Sequence, residues 1–350
     1  MAKNNNLTDF LTDVANAIRE KDGSTGTINP QNFSDKIKAI QTGVDTSDGN
    51  IKPTTVLKGY KGYAKGVAVT GAIETYDGTV EDVPYTDCLT FTGETGEFTL
   101  KATNKAWNGT LQWSTDHTNW TVLTGTEVMQ SVGKKLYLRG KGNTTFFDRT
   151  NWVGVRWVLS AKAGCVGNIQ TLLDWENPPT SISKDSCYLD LFANCTNLTS
   201  APELPAMTLA MFCYQTMFEN CTNLIRAPEV LPATTLAGGC YQGMFMGCTN
   251  LTSAPKLPAT TLDASCYGQM FSGCTSLITA PELPATTWAN GCYNRMFNGC
   301  ANLKVNITSG NKIFTCLSTI PIDAVTDMFT NTGGSFTGTP TAGTTYYYTL

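Results

Sequence analysis

A repeat of 26 residues fills the stretch 186–303 and restricts the folds open to this chain. Each copy opens on Cys-Tyr, has Leu or Met before Phe four residues after that cysteine, and reaches a second cysteine after eight. The five copies open at Cys187, Cys213, Cys240, Cys266 and Cys292. One spacing is 27 because Val230 is inserted. A fixed period of this length indicates a solenoid of stacked units.

The pattern within one copy predicts a short helix followed by a short strand. Tyr214, Met217, Phe218 and Cys221 stand at i, i+3, i+4 and i+7, which places them on one face of a helical turn or two. The run Leu251–Ala254 suits an extended segment, and the proline after it stops that segment. Stacking on a neighbouring copy buries these side chains, at about 1.5–3 kcal/mol for each large one.

The run Met244–Ser253 reads Met-Phe-x-x-Cys-x-Asn-Leu-Thr-Ser and resembles the BspA-like leucine-rich repeats of bacterial surface proteins. It departs from them by the Cys-Tyr pair before the phenylalanine and by an Ala-Pro pair in the strand. The resemblance covers about a third of the chain. It implies a leucine-rich-repeat solenoid that serves as a binding surface and not as an active site.

Ten of the thirteen cysteines belong to the repeat, and three roles are open to them. Two cysteines eight apart on a helical arc lie about 12 Å apart by rise, whereas a disulfide needs Cα atoms within about 7 Å. Cysteine pairs at the two-to-four spacing of metal sites are lacking. This favours buried thiols that pack as small apolar side chains over disulfides between units or a metal site.

Two amphipathic helices are predicted at the N-terminus, and a helical hairpin over residues 1–45 follows from them. Their apolar side chains are the candidate contacts of a docking module: Leu7, Phe10, Leu11, Val14, Ile18, Phe33 and Ile37. Two short helices form a small core, so the hairpin is either an independent unit or one completed by a partner. Residues 46–80 form a linker and a β-hairpin or extended arm, with the Gly-rich run Val56–Gly71.

The N-terminal runs Leu7–Arg19 and Phe33–Ile40, followed by the Gly-Tyr-rich arm, resemble the N-terminal regions of tailed-bacteriophage virion proteins. Tail-fibre and baseplate-associated chains carry this combination. The resemblance covers roughly residues 7–73. It implies a virion protein whose N-terminus binds other tail or baseplate proteins, and a homo-oligomer, since phage fibres are commonly homotrimers.

Residues 81–163 contain at least five short alternating segments with turn signals between them, which predicts a β-sandwich. Residues 164–335 form the solenoid with its caps, and residues 336–350 a C-terminal tail that is either a final strand or a loose end. The predicted fold class is therefore multidomain α+β, with a helical hairpin and arm, a β-sandwich and then a leucine-rich-repeat solenoid.

Composition and motifs argue against several functions. Charged residues are 15% of the chain and the net charge is −4, without a basic patch for nucleic acid or an anionic membrane. No apolar run is long enough to cross a bilayer, and the polar start differs from a signal peptide, so we expect the protein either to fold in a cytoplasm or to leave it by a route other than a cleaved signal. The one histidine, His117, lies in a predicted turn, and Asp174 and Glu176 do not define an acid/base pair. No catalytic residue, cofactor or metal is predicted.

The repeat therefore predicts a binding surface in two parts. Variable positions after each Cys-Tyr pair and a charged position beside each strand supply the candidate contacts: Gln215, Gln242, Gln269, Arg295, Glu203, Glu229, Lys256 and Glu282. Tryptophans 107, 113 and 120 either stack on sugars or fill the core.

The hypothesis that accounts for these features is a virion structural protein, a tail fibre or receptor-binding protein whose repeats contact a host glycan or protein. The alternatives are a bacterial surface leucine-rich-repeat adhesin and a head-attached decoration or fibre protein. An enzyme that cleaves polysaccharide is disfavoured because the sequence offers no acid/base constellation.

Overall fold

A computed structural model describes the backbone of residues 61–64 and 67–70 and all of residues 88–350. The strands are β1 Lys61–Ala64, β2 Val67–Thr70, β3 Leu89–Gly93, β4 Thr99–Ala102, β5 Thr110–Ser114, β6 Thr121–Leu123, β7 Met129–Gln130, β8 Lys135–Lys141, β9 Phe147–Asp148, β10 Val153–Gly154, β11 Trp157–Leu159, β12 Ala163–Val166, β13 Leu198–Ser200, β14 Lys304–Asn306, β15 Asn311–Thr315, β16 Gly333–Gly334 and β17 Thr345–Thr349. Among the described residues, one 3-10 helix spans Ile169–Leu172. Within the described ranges no helix is long and apolar enough to cross a membrane.

The predicted α+β class is wrong: the described residues are nearly all β, divided among several small sheets, and contain no α-helix. The repeats are not leucine-rich-repeat units either, because none holds a helix and only the first contains a strand, β13. No helical hairpin occurs in the described residues, and residues 1–45, for which it is predicted, lie outside them. Strands β1 and β2 pair antiparallel, so the alternative of a hairpin within Val56–Gly71 is the correct one.

The region predicted as a β-sandwich, residues 81–163, contributes strands to sheets of six, three and two strands. The orders are β13-β12-β3-β8-β5-β6, β11-β4-β7 and β10-β9. Alternation places Leu89 and Phe91 of β3 in the hydrophobic core with Leu100 of β4 and Trp157 of β11. The same core continues into the repeats without a break. Strand β13, from the first repeat, pairs parallel with β12, so the sheet and the repeats share backbone hydrogen bonds.

The backbone of each repeat forms a chain of tight turns, which we call a coil. Every fourth residue has a positive φ, as at Phe212, Thr216 and Asn220 of the second coil. Alternate N–H groups bond within the coil, for example Met217 N to Tyr214 O at 3.3 Å. The others donate to the next coil, for example Phe218 N to Met244 O at 2.9 Å. This scheme satisfies the backbone without a helix, because left-handed residues interrupt helical geometry once per turn.

Apart from β13 in the first coil, the predicted strands are reduced to isolated bridges between coils. Ser253 pairs with Thr279 and Ser200 with Arg226, in parallel and without extension into a ladder. Proline follows two residues after Ser200 and Ser253 and has no N–H to continue the ladder. The proline therefore ends the extended segment and also prevents the bridge from growing into a ladder.

The interior of the coils is built from two rows of stacked rings. Phe218, Phe245 and Phe271 lie in one row with centroids 5.5 and 5.6 Å apart, as the stacking hypothesis requires. A second row contains Tyr214, Tyr241 and the equivalent tyrosines, at spacings of 5.6–6.0 Å. All of these rings are at most 1% exposed. Offset parallel rings at this distance attract each other beyond the burial of their area.

The repeat cysteines are all buried, and none of them forms a disulfide. Cys221, Cys248, Cys274 and Cys300 each direct Sγ at the carbonyl of the row phenylalanine in the preceding coil, at 3.0–3.1 Å. Burial raises the pKa of these thiols, and that of Cys274 to about 12. They thus act as small buried side chains with a weak hydrogen bond, in agreement with the favoured interpretation of the sequence.

Both ends of the stack are closed by aromatic side chains from flanking segments. At the first coil, Phe146 stacks on Tyr188 at 5.6 Å, and Ile169 and Leu172 of the 3-10 helix are buried. At the last, Phe329 continues the phenylalanine row from Phe297 at 5.7 Å. A four-stranded sheet of order β15-β17-β14-β16 follows, and β17 shows that the tail forms a strand.

The hydroxyl groups of the tyrosine row are of two kinds, those with a hydrogen-bond partner and those without one. Tyr188 donates to Gln170 Oε1 at 3.0 Å, and Gln170 Nε2 donates to the hydroxyl of Tyr214 at 3.2 Å. Among the described residues, the buried hydroxyls of Tyr241 and Tyr267 have no hydrogen-bond partner. An unpaired buried hydroxyl is destabilising, whereas a paired one contributes about 1 kcal/mol.

We expect Tyr241→Phe to leave the free energy of unfolding unchanged or to raise it by up to about 1 kcal/mol. The matched change Tyr188→Phe removes a paired hydroxyl and is expected to lower it by about 1–2 kcal/mol, because Gln170 Oε1 then loses its donor. Urea unfolding of both variants measures the difference. Equal losses in the two variants would contradict the assignment of partners in the tyrosine row.

Candidate binding surface

The predicted contacts after each Cys-Tyr pair belong to two neighbouring rows, not to one. Gln215 and Gln242 directly follow the tyrosine, and Gln215 Nε2 donates to Gln242 Oε1 at 3.1 Å. Gln269 and Arg295 stand one position later and have positive φ values of 56° and 52°. The backbone bonds fix this register, since Thr216 N donates to Gln242 O and Gln269 N donates to Asn294 O.

A depression of 310 Å³ lies where these two rows cross coils three to five. Gln242 and Gln269 line it, so the structure brings two of the four predicted residues together. Gln215 and Arg295 do not belong to its lining. Arg295 instead binds the carboxylate of Asp327 at 3.3 Å, which ties the fifth coil to the segment after it. The lining of the depression contains four side-chain amides and one hydroxyl, with one carboxylate and no Lys or Arg, which suits a neutral polar ligand.

The charged candidates lie at the other predicted position, beside the bridge of each coil, and all four are exposed. Lys256 Nζ lies 3.3 Å from Glu229 Oε1, and Glu282 lies 4.0 Å from Lys312. Lys256 and Glu282 line a second, smaller depression of 210 Å³ with Leu257 and two prolines. The two depressions share no residue. Both of these ion pairs are exposed, so each has a small energetic value.

The three tryptophans considered for sugar stacking divide between core and surface. Trp107 is buried, Trp113 packs against the core, and Trp120 is half-buried. The guanidinium of Arg139 lies between Trp120 and Trp175, 3.8 and 3.9 Å from the ring centroids. This arrangement holds both rings by cation–π attraction and covers one face of each. Arg139 Nε also donates to Gln112 Oε1 at 3.0 Å, which fixes it to the sheet.

The residues weighed as catalytic candidates have structural partners. His117 is half-buried with its ring 4.8 Å from that of Tyr137, and its Nε2 lies 3.3 Å from Cys88 Sγ. Burial lowers the pKa of His117. Asp174 and Glu176 both bind Lys141, and the hydrogen bond that Lys141 donates to Glu176 raises the pKa of that lysine. Within residues 88–350 and the described hairpin, no group of three His, Cys, Asp or Glu residues is arranged to hold a metal ion.

Eight residues that line the larger depression are not among the candidate contacts: Ala264, Ser265, Gly268, Asn290, Gly291, Asn294, Ile322 and Asp323. Ser265 and Asn294 sit at fixed offsets from a Cys-Tyr pair, so the repeat register was a signal for them. Ile322 and Asp323 follow Cys300 after an irregular segment and carry no such signal. The candidate docking residues Leu7, Phe10, Leu11, Val14, Ile18, Phe33 and Ile37 lie outside the described residues. Comparisons with protein-family models, curated proteins and solved structures find no match to this chain.

Proposed function

We propose that this chain is a bacteriophage virion protein, a tail fibre or receptor-binding protein that binds a host surface through its repeats. Its N-terminal residues attach it to other tail or baseplate proteins. It assembles with them in the host cytoplasm as a homo-oligomer, in the form of a trimer. It works by binding, without chemistry of its own.

The observation that carries the proposal is the alignment of polar side chains along a stack with a constant step. Successive coils are related by ring spacings of 5.4–6.0 Å. Equivalent side chains, such as Gln215 and Gln242, therefore stand above one another and make contact. Such a surface suits a ligand that is itself repetitive, and envelope polysaccharides have that property.

The packing supports a static binding surface. The ring rows and the cysteines fill the interior, and each coil is bonded through its backbone to both neighbours. Because few side chains need to be ordered on binding, the entropic cost of association is low. Weak contacts to single sugars then add up along the stack and across the subunits of an oligomer.

We expect the full chain to bind immobilised envelope polysaccharide of the bacterium that supports the phage, measured by surface plasmon resonance. A bovine serum albumin surface serves as the control. Absence of binding to whole cells, lipopolysaccharide, teichoic acid and peptidoglycan would contradict the proposal. Release of reducing ends from any of these polymers would point to an enzyme instead.

Immunogold labelling of purified particles tests the location, with labels expected at the tail. Label on the capsid would indicate a head-attached decoration protein, and label on the bacterial surface alone a bacterial adhesin. Light scattering of the purified chain should give three times the mass of one chain.

A further inference from the structure

In coils two to five, the residues that directly follow the Cys-Tyr pair are Gln215, Gln242, Gly268 and Asn294, which we call the amide row. The first coil has Leu189 at this position. The first two members of the amide row are joined by a hydrogen bond of 3.1 Å from Gln215 Nε2 to Gln242 Oε1. The tyrosines that precede these two residues have ring centroids 5.7 Å apart. One amide per coil at this step is therefore sufficient to form a continuous row.

Gly268 interrupts the amide row. The tyrosine centroids on either side of it are 5.8 Å from Tyr241 to Tyr267 and 6.0 Å from Tyr267 to Tyr293, so the step does not change there. The side chains of Gln242 and Asn294 thus face a position that holds no side chain. The larger depression lies at this position.

The backbone does not require glycine at residue 268. Its φ lies outside the left-handed region, and a Cβ added there would meet the carbonyl oxygens of Gly291 and Ser265 at 3.4 Å, an ordinary contact. Gly291, by contrast, has a φ of +64° that favours glycine. The structure would accept a side chain at Gly268, so the gap is a feature of the surface and not of the fold.

We propose that this gap binds the acetamido group of an N-acetylhexosamine in the host glycan. The acetamido carbonyl accepts a hydrogen bond from Gln242 Nε2, and its N–H donates to Asn294 Oδ1. Asn294 Nδ2 is directed at the carbonyl of Asp323 at 3.4 Å, which leaves its oxygen as the acceptor. The ligand supplies the missing amide of the row. The proposal rests on the proposed function and names the ligand class of that surface.

The remaining lining fits the rest of such a sugar. Ile322 is 72% exposed and lines the depression, so it can contact the acetamido methyl group. Ser265, Gln269 and Asp323 present groups that bond ring hydroxyls. The lining contains one carboxylate and no Lys or Arg, so it repels sialic and uronic acids and favours a neutral sugar.

The test is calorimetric titration of the full-length chain with N,N′-diacetylchitobiose and with cellobiose, which carries hydroxyls in place of the acetamido groups. We expect the acetylated disaccharide to bind at least about tenfold more tightly, as two hydrogen bonds imply. Gly268→Gln fills the gap with the side chain found at Gln215 and Gln242, and is expected to lose at least about tenfold in affinity. Gly96→Gln is the control, since a Cβ at Gly96 has no neighbour within 4 Å.

Gln242→Glu provides a second variant that does not depend on how Gly268→Gln folds. It removes the donor to the acetamido carbonyl and keeps an oxygen for Gln215 Nε2, so the same loss is expected. Equal affinity for the two disaccharides, or wild-type affinity in both row variants, overturns the inference. If the wild-type chain still binds envelope polysaccharide in that case, the proposed function stands. If it binds no envelope material, the proposed function fails.

Discussion

Replacing Phe245 with alanine is expected to lower the free energy of unfolding by about 3–5 kcal/mol, measured by urea unfolding at pH 7. Phe245 is fully buried and stacks between Phe218 at 5.5 Å and Phe271 at 5.6 Å. The coils are bonded to each other through their backbones above and below it, so they cannot close on the cavity. The loss therefore includes the cavity as well as the transfer of the ring.

Ile278→Ala is the matched control on the same stack, because Ile278 is 43% exposed. Its expected loss is below about 1 kcal/mol, as is typical of surface positions. A loss for Phe245→Ala no larger than that of the control would contradict the role of the phenylalanine row.

Stability should fall steeply at alkaline pH. Burial raises the pKa of the Cys195 and Cys274 thiols to about 12 and that of Cys292 to about 11, from an ordinary value of 9.0. Burial also raises the pKa of Tyr214 and Tyr241. Above pH 9 the unfolded chain releases these protons and the folded chain keeps them, so the unfolded state becomes more favourable as the pH rises.

Each such thiol removes up to about 1.4 kcal/mol of stability per pH unit once the pH exceeds 9. The effect is absent below about pH 8, where both states are protonated. Urea unfolding at pH 7, 9, 10 and 10.5 measures it. Cys274→Ala should reduce the slope of the unfolding free energy against pH by about the contribution of one thiol. This expectation does not depend on how much the substitution lowers stability at neutral pH. An unchanged midpoint from pH 7 to 10.5 would show that the thiols are not buried.

The set of buried side chains follows from the repeat pattern, whereas the backbone that buries them does not. Tyr214, Met217, Phe218 and Cys221 are all fully buried, as their spacing predicts. A spacing of i, i+3, i+4 and i+7 is typical of a helix. A turn every four residues returns side chains to the same side at a similar interval, so hydrophobic periodicity cannot distinguish the two.

The residues with positive φ are what separates the backbone of a coil from a helix. Gly239, Gly243 and Gly247 occupy every fourth position of one coil, and such a run of glycines is unfavourable in a helix. In the second coil the same positions are Phe212, Thr216 and Asn220, of which only asparagine commonly adopts this conformation. The hydrogen bonds between coils hold Phe212 and Thr216 in this conformation. This is a tertiary effect, and the sequence of a single copy gives no sign of it.

The candidate binding surface was predicted only in part for the same reason. Position within the copy identified Gln242 and Gln269 as candidate contacts. Which side chains share a row, however, depends on differences of one residue in register. Gly268 has no side chain to attract notice, yet its position between Gln242 and Asn294 is what opens the depression. Ile322 and Asp323 reach it from beyond the last regular copy, which requires the three-dimensional path of the chain.

The bonding between coils repeats identically from one copy to the next, and nothing in a coil specifies how many should follow. The number is determined by the segments that cover the two ends, Phe146 with the 3-10 helix at one and β14–β17 at the other. A gene that gains or loses one 26-residue copy would therefore lengthen or shorten the molecule by a single ring spacing and leave both ends intact. The length of the stack can therefore change only in fixed increments of one coil.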